Sequence, residues 1–342
     1  MYHEYSQNKW LMNYRKFGNT DLTVSEIGFG AWGIGGPAIA GKTPIGWGKV
    51  DDKVSIEALK KAFDSGITFY DTADFYGLGH SEKLIGDVFG NSGDVIIASK
   101  VGHVQHPESG EPMLDYTQKH IIEGCEASLK RLKRDTIDYY QLHSARIRHF
   151  ENEQCADAME TLKAQGKIRY WGLSLITFDP FPEAEYMINN KIGNGFQLVM
   201  NILNQKAMPI LDNARSNNYG VIARMPLQFG LLTGKFNKNS TFAKDDHRFG
   251  RLNESLLSDS LDALEEVWDF ARKHNISKTG LALSFILSLP GISTIIPGIK
   301  TPEQVIANTT DIIELPEEDV TALKSLFETK FQSLLTKMEK AG

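Results

Sequence analysis

Cysteine is scarce in this chain. Its 342 residues include only two cysteines, Cys125 and Cys155. Each falls on the apolar stripe of a segment with helical periodicity, so both read as buried thiols in a reducing compartment, not as a disulfide. No Cys/His spacing suggests zinc or another metal, and no G-x-S-x-G nucleophile elbow occurs. Long apolar runs are also missing. The longest, Gly280 to Leu289, stops at Pro290 and is too short to cross a bilayer. No segment reads as a signal peptide, which points to a cytoplasmic protein. Positive charge is not in excess. The net charge of −6 gives no pull towards nucleic acid or an anionic membrane. The basic run Lys130-Arg131-Lys133-Arg134 sits at a helix end, where cations suit the dipole, and is not read as a nucleic-acid footprint. Oligomeric state has no signature here.

What the chain does contain is 41% hydrophobic residues, enough for one large core or two modest domains. Residues 1–13 are polar without periodicity and read as a disordered lead-in. Tyr14 to Phe17 and Leu22 to Val24 flank Gly18-Asn19-Thr20-Asp21, a hairpin signal. Strands are then expected at 26–31, 67–71, 95–100, 136–143, 169–174, 196–201, 220–226 and 293–297. Helices are expected between and after them at 51–65, 81–89, 117–132, 152–165, 180–189, 207–218, 258–274, 277–288 and 301–309, with a last one at 316–340. Asp51 reads as the cap of the first helix, whose apolar face is Val54, Ala58, Ala62 and Phe63, and Ser81 as the cap of the second. Eight strands, each followed by a helix, with no composition shift, predict a single (β/α)₈ TIM barrel over 14–342. The hairpin would plug its amino-terminal end and the last helix would be an extra. The loop from about 227 to 257 is unusually long. With Gly230, Gly234, Lys235, Arg248 and Arg251 it reads as a mobile flap able to clamp phosphates.

Two motifs fail on context. Gly28-Phe29-Gly30-Ala31-Trp32-Gly33 matches the dinucleotide fingerprint, but that motif must open a helix, and glycine-rich loop follows here. Gly36-Pro37-Ala38-Ile39-Ala40-Gly41-Lys42-Thr43 matches the P-loop pattern, yet Pro44, Gly46 and Gly48 come next and the first helix start is Asp51.

Three successive strands end in chemistry. Asp71 closes the strand at 67–71, with Tyr76 five residues on in the loop; Lys100 closes the next strand and His143 the one after. Strand carboxyl ends are where such barrels hold their active sites. Each residue alone has a bland reading, as a loop cap, packed aromatic, salt bridge or core histidine. Together they read as one site. A phenol titrates near pH 10, an adjacent ammonium lowers that value, and a carboxylate keeps the ammonium charged. Tyr76 with Lys100 and Asp71 would then be a tuned general acid, and His143 a hydrogen-bond donor that orients a carbonyl. An acid without a nucleophile suits carbonyl reduction by an external hydride donor, which calls for a nicotinamide cofactor.

These stretches resemble the aldo-keto reductase superfamily. The resemblance is carried by Asp71-Thr72-Ala73-Asp74-Phe75-Tyr76-Gly77 with Ser81-Glu82, Ala98-Ser99-Lys100, Leu129-Lys130-Arg131-Leu132 and Gln141-Leu142-His143. Gly166-Lys167-Ile168-Arg169, Gly172 to Ser174, Gly230-Leu231-Leu232-Thr233-Gly234-Lys235 and Ile296-Pro297-Gly298 add to it. It spans about Tyr14 to residue 330, and extends to potassium-channel β subunits. It implies a tetrad of Asp71, Tyr76, Lys100 and His143, with Tyr76 as proton donor. It also implies cofactor contacts. Ser174 and Gln197 fall at the nicotinamide carboxamide, Arg224 where an aromatic usually stacks, and Leu175 in place of an asparagine. Leu227 and Lys235 lie along the pyrophosphate. Gly298, Lys300, Gln304 and Asn308 lie at the adenosine phosphate, and Trp32 joins the set. Thr301-Pro302-Glu303-Gln304 independently reads as a capping box with proline at the first helical position, suited to a 2′-phosphate. NADPH is therefore favoured, with NADH possible.

The expected function is NADP(H)-dependent reduction of an aldehyde or ketone. The alternatives are a sugar or polyol dehydrogenase running oxidatively, or a cofactor-binding regulatory subunit. A small carbonyl or sugar substrate would meet the loops after the strands. Trp32 and Trp47 either line its pocket or pack the loop. His103 and His106 read either as substrate contacts or, the reading preferred, as solvent-exposed loop histidines.

Overall fold

A computed structural model describes residues 12–152, 154–243 and 246–341. The expected lead-in therefore lies outside the described residues, apart from Met12 and Asn13. Eight strands form one parallel sheet: β1 (Phe29–Gly30), β2 (Phe69–Asp71), β3 (Ile96–Val101), β4 (Ile137–His143), β5 (Ile168–Ser174), β6 (Gly195–Val199), β7 (Gly220–Arg224) and β8 (Thr294–Ile296). Neighbours pair in chain order, and parallel bridges Ile27–Ile295 and Gly30–Gly298 join the first strand to the last. Backbone bonds Gly28 N to Ile295 O (2.7 Å), Ile295 N to Glu26 O (2.9 Å) and Gly30 N to Pro297 O (3.0 Å) complete that seam. The expected (β/α)₈ barrel is thus observed. Glycine lets the seam close: a Cβ on Gly30 would lie 2.8 Å from the carbonyl oxygens of Ile296 and Pro297.

At least one helix follows each strand; the last before the next strand, and the first after β8, are α1 (Asp52–Asp64), α2 (His80–Phe89), α3 (Gln118–Leu132), α4 (Cys155–Ala164), α5 (Phe181–Asn190), α6 (Met208–Ser216), α7 (Lys278–Leu287) and α8 (Pro302–Thr309). Asp51, Thr117, Ser277 and Thr301 cap their helices through side-chain oxygens. Ser81 does not. Its helix begins at His80 behind the left-handed Gly79, and the Ser81 hydroxyl instead accepts from Thr72 (2.8 Å) and donates to Ala31 O (2.9 Å). Phe63, expected on the buried face of α1, is 40% exposed and packs beside Phe89. The helix expected at 152–165 runs from Cys155 to Ala164, with a short separate helix at Ile147–Asn152 ahead of it. That expected at 258–274 is split, into Glu254–Leu264 and Val267–His274. The closing helix runs from Glu317 to Ala341 but is interrupted by a π-helical turn at Phe327–Phe331.

The hairpin pairs Tyr14–Lys16 with Thr23–Ser25. It delivers Phe17, Leu22 and Val24 onto Phe69, Ala98, Tyr139, Ile222 and Ile296 at the barrel's amino-terminal end. Gly195 and Gly220 make room, since a Cβ on either would sit within 3.0 Å of the Phe17 ring. The basic run is structural. Arg131 donates to Glu82 (2.7 Å), Lys133 pairs with Asp87 (2.7 Å), and Arg134 donates to the carbonyls of Gly90 and Ser92. Both cysteines are buried and unbridged. Burial pushes the Cys125 thiol up to about 12. Among the described residues no helix is long and apolar enough to cross a membrane.

Candidate active site

Strand register brings the chemistry into one layer. Asp71 lies beside Ala98, Lys100 beside Gln141, and His143 beside Ser174, which is itself beside Gln197. Lys100 is fully buried, and its ammonium makes three hydrogen bonds: to Asp71 Oδ1 (2.5 Å), Thr72 O (2.8 Å) and Tyr76 Oη (3.1 Å). The far oxygen of Asp71 accepts from Gln197 (2.6 Å) and Gln141 (3.0 Å). A buried ion pair of this kind stands because all three ammonium protons are used and both carboxylate oxygens accept hydrogen bonds.

The loop carrying Tyr76 is held by backbone contact. Gly77 has φ +62°, and a Cβ there would lie 2.1 Å from Gly35 O, so only glycine fits. On that side the Trp32 ring stacks on Tyr76 with centroids 5.9 Å apart. On the other, His143 meets Tyr76 edge-on at 5.9 Å, and Tyr116 donates to the His143 carbonyl.

Electrostatics follow from this burial. For Lys100, desolvation pulls down, but Asp71 and Tyr76 together outweigh it and hold the ammonium above its usual range. For Tyr76 the expected fall is not the net result. Burial raises the phenol most; Lys100 lowers it, Asp71 raises it again, and it ends above 10. Tyr76 is therefore protonated throughout the neutral range. His143 is pushed well below 6.5, chiefly by burial, then by His103, Lys100 and Arg224. It is a neutral imidazole, and its Nδ1 is buried without a hydrogen-bond partner among the described residues.

The residues read as cofactor contacts fall into two groups. Ser174 donates to Gln197 Oε1 (3.5 Å), while the Gln197 amide nitrogen is engaged by Asp71. Arg224 donates to Leu175 O (2.8 Å) and Thr177 Oγ1 (3.3 Å); its Nε is buried and has no partner among the described residues. Leu227 opens a tight turn over Gln228–Thr233, which leads to Lys235. At the outer group, burial lowers both Lys235 and Lys300, and nearby cations add to it: Arg248 and Lys300 for Lys235, Arg248 for Lys300. Gly298 faces open space, and Asn308 is buried with an amide nitrogen that has no partner among the described residues. The Gln304 side chain accepts from Lys300 N (2.7 Å), so it braces the turn at the start of α8. Crowded cations beside an unpartnered amide donor and an open glycine fit the phosphates of a nucleotide.

Several site residues escaped sequence reasoning. Glu82, fully buried, accepts from Ser99 (2.5 Å) and Arg131 (2.7 Å) directly below the loop. His247 packs against Trp32 (4.8 Å), Trp47 (4.1 Å) and Phe229 (5.0 Å), so the flap closes on the aromatic wall beside Tyr76. Arg248 is fixed there by Asp246 (2.5 Å) and by the faces of Trp47 and Phe242. His103 is a correction: it is not a solvent-exposed loop residue. A hairpin of His103–Gln105 with Pro112–Leu114 turns it inward onto His143, at 4.5 Å between centroids. His106 is exposed as expected and caps the turn at Glu108 and Ser109. No local periodicity marks a loop that folds back over a barrel mouth, so the sequence held no signal for where His103 and His247 land, whereas Arg248 belongs to the cationic flap expected at 227–257.

Comparison with known proteins agrees with this geometry. Residues 26–328 match the model of the aldo/keto reductase family. The aldo-keto reductase YhdN of Bacillus subtilis is 30% identical over 301 residues, covering 86% of this chain and 87% of that one. The NADH-specific methylglyoxal reductase of Escherichia coli is 27% identical, covering 91% and 97%. The structure of the glycerol dehydrogenase AKR11B4 from Gluconobacter oxydans superposes with a TM-score of 0.77 at 28% identity, covering 92% of this chain and 94% of that one. The chain belongs to the aldo/keto reductase family of oxidoreductases, whose members use nicotinamide cofactors and small-molecule substrates.

Proposed function

We propose that this protein reduces an aldehyde or ketone to an alcohol with NADPH, using Tyr76 as the proton donor. The observation that carries the reading is the fully buried Lys100 bridging Asp71 and the Tyr76 hydroxyl. When bound, the reduced nicotinamide supplies the hydride. Tyr76 gives its proton to the substrate oxygen, and the phenolate left behind sits 3.1 Å from the Lys100 ammonium, whose charge offsets it. Asp71, held by Gln141 and Gln197, keeps that ammonium charged and in place. The neutral His143 flanks the same oxygen and orients it, while Trp32 and His247 wall out water. Ser174, Arg224 and Leu227 would hold the nicotinamide half of the cofactor. Lys235, Lys300 and Asn308 would hold its phosphates, with Gln304 shaping the turn and Gly298 leaving space. The like-charge crowding of Lys235, Arg248 and Lys300 supports NADPH over NADH, because a 2′-phosphate would relieve it.

The similarity to a glycerol dehydrogenase supports a second direction of the same chemistry, oxidation of a polyol at alkaline pH, where Tyr76 can lose its proton and act as base. The test compares wild type with Tyr76→Phe. Both should quench tryptophan fluorescence on titration with NADPH, more tightly than with NADH. Only the wild type should consume NADPH with an aldehyde panel, the variant falling by at least about 100-fold in kcat. A Tyr76→Phe protein with full turnover refutes the proton-donor assignment.

A further inference from the structure

The P-loop look-alike at Gly36–Thr43 holds an anion after all, and it is the chain's own. Its last residues form the turn of a small hairpin that pairs Ile39–Ala40 with Thr43–Pro44. The Glu111 carboxylate sits against that turn. One oxygen accepts from the Lys42 backbone N–H (3.0 Å) and the other from the Thr43 hydroxyl (3.3 Å). Gly41, at φ +58°, is required for this fit, because a Cβ there would lie 2.5 Å from the Glu111 carboxyl.

Glu111 comes from a second hairpin, His103–Gln105 with Pro112–Leu114. A further bond joins the two, from the Gln105 amide to Ile39 O (3.2 Å). The hairpins leave the barrel after β1 and after β3, on either side of the loop after β2 that carries Tyr76. Each is anchored to one of the rings that flank Tyr76. Trp32, stacked on Tyr76, donates its indole N–H to Ile45 O (3.0 Å) at the foot of the first hairpin. His103, at the start of the second, packs on His143 with centroids 4.5 Å apart. The contacts through Glu111 and Gln105 therefore close an arch whose two feet are walls of the site.

Resting on the reductase reading, we propose that Glu111 is a positioning residue: by clipping the two hairpins together it holds Trp32 and His103 at a fixed spacing across Tyr76, and so restricts the site to slender, unbranched carbonyl substrates. Glu111 touches none of the reacting groups and acts only through the walls it ties. The substrate oxygen sits between Tyr76 and His143, so a group on the carbon next to the carbonyl meets those walls. A clipped arch cannot part to admit a branch or a ring there. Without the carboxylate each hairpin is held at its own foot and by the Gln105 bond alone, and local opening becomes easier.

The experiment measures two things in wild type, Glu111→Ala and Glu111→Gln: kcat/KM with NADPH for propanal and 2-phenylpropanal, and amide hydrogen exchange over residues 38–45 and 103–114. Wild type should favour propanal. In Glu111→Ala the propanal-to-2-phenylpropanal ratio should fall about fivefold and exchange in both segments should quicken by about as much, the weight of one net hydrogen bond. Glu111→Gln should keep both near wild type, since its amide oxygen still accepts from Lys42 N–H and its NH₂ can donate to the Thr43 hydroxyl. A merely structural Glu111 would depress both substrates together and leave the ratio unmoved, which overturns the proposal while leaving the reductase reading intact. Unchanged exchange in Glu111→Ala overturns it too, as does a wild type that prefers 2-phenylpropanal. Exchange needs no turnover, so the two failures separate. A wild type that reduces neither aldehyde and binds no NADPH removes the reductase reading and the selectivity with it, whatever the exchange shows of the clip.

Discussion

Lys100→Met tests how the buried charges hold one another. Methionine preserves the length of the side chain but deletes the ammonium that touches Asp71 Oδ1 (2.5 Å), Thr72 O (2.8 Å) and Tyr76 Oη (3.1 Å). Removing one member of a buried pair costs about 3–5 kcal/mol, because the other charge is stranded. Two features set the value here. Gln141 and Gln197 still donate to Asp71 Oδ2, which keeps the carboxylate partly solvated by protein. The penalty also has a ceiling, because a stranded carboxylate can take up a proton instead. Neutralising an ordinary carboxylic acid costs about 4 kcal/mol at pH 7 and about 1.5 kcal/mol at pH 5. Lys100→Met should therefore lose about 3–4 kcal/mol of unfolding free energy relative to wild type at pH 7, and about 1–1.5 kcal/mol at pH 5. The assay is urea unfolding at both pH values, followed by tryptophan fluorescence. Asp71→Asn combined with Lys100→Met should be less destabilised than the sum of the single changes, since no charge is then stranded. A Lys100→Met protein within about 1 kcal/mol of wild type at pH 7 refutes the reasoning, as does a penalty that grows on acidification.

Two further expectations concern the barrel itself. A Cβ on Gly172 would lie 1.9 Å from Tyr139 Oη and 2.2 Å from Gly195 O, one of them rigid backbone. Gly172→Ala should cost more than the usual 1–3 kcal/mol of overpacking (about 3 or above) and sharply reduce soluble yield; a melting point within about 2 °C of wild type would sink this account. Acid should also destabilise the fold through its histidines. Burial holds His103 at about 4, His247 at about 3 and His143 well below 6.5. In the unfolded chain each titrates near 6.5, so between these values the unfolded state binds protons that the folded state refuses. Stability is complete above pH 6.5 and is lost as pH falls towards 4, by up to about 1.4 kcal/mol per histidine per pH unit. Chemical unfolding from pH 7 to 5 measures this, and a flat or rising free energy contradicts it.

The alternation of strand and helix was legible because each element carries its own period and its own cap. Asp51, Thr117, Ser277 and Thr301 cap through contacts two or three residues away. The boundary errors arise where distant residues outbid local ones. Ser81 looks like a cap, but its hydroxyl is taken by Thr72 and Ala31, nine and fifty residues away. The regular 258–274 and 316–340 patterns are bent by packing that no short window contains. Phe63 has the right spacing to be buried and is left at the edge because α2 offers it only Phe89.

The sequence by itself determined that Asp71, Tyr76, Lys100 and His143 would meet, because residues at successive strand ends of a parallel barrel must share one rim. Only the tertiary structure decided how they are tuned. Burial, not Lys100, dominates the Tyr76 phenol, since desolvation depends on everything packed around a group and not on its named partner. Only the structure, too, turned His103 inward and laid His247 and Arg248 against the tryptophans. Those residues sit on loops, whose paths are set by what they land on, and a loop carries no period from which its landing place can be read.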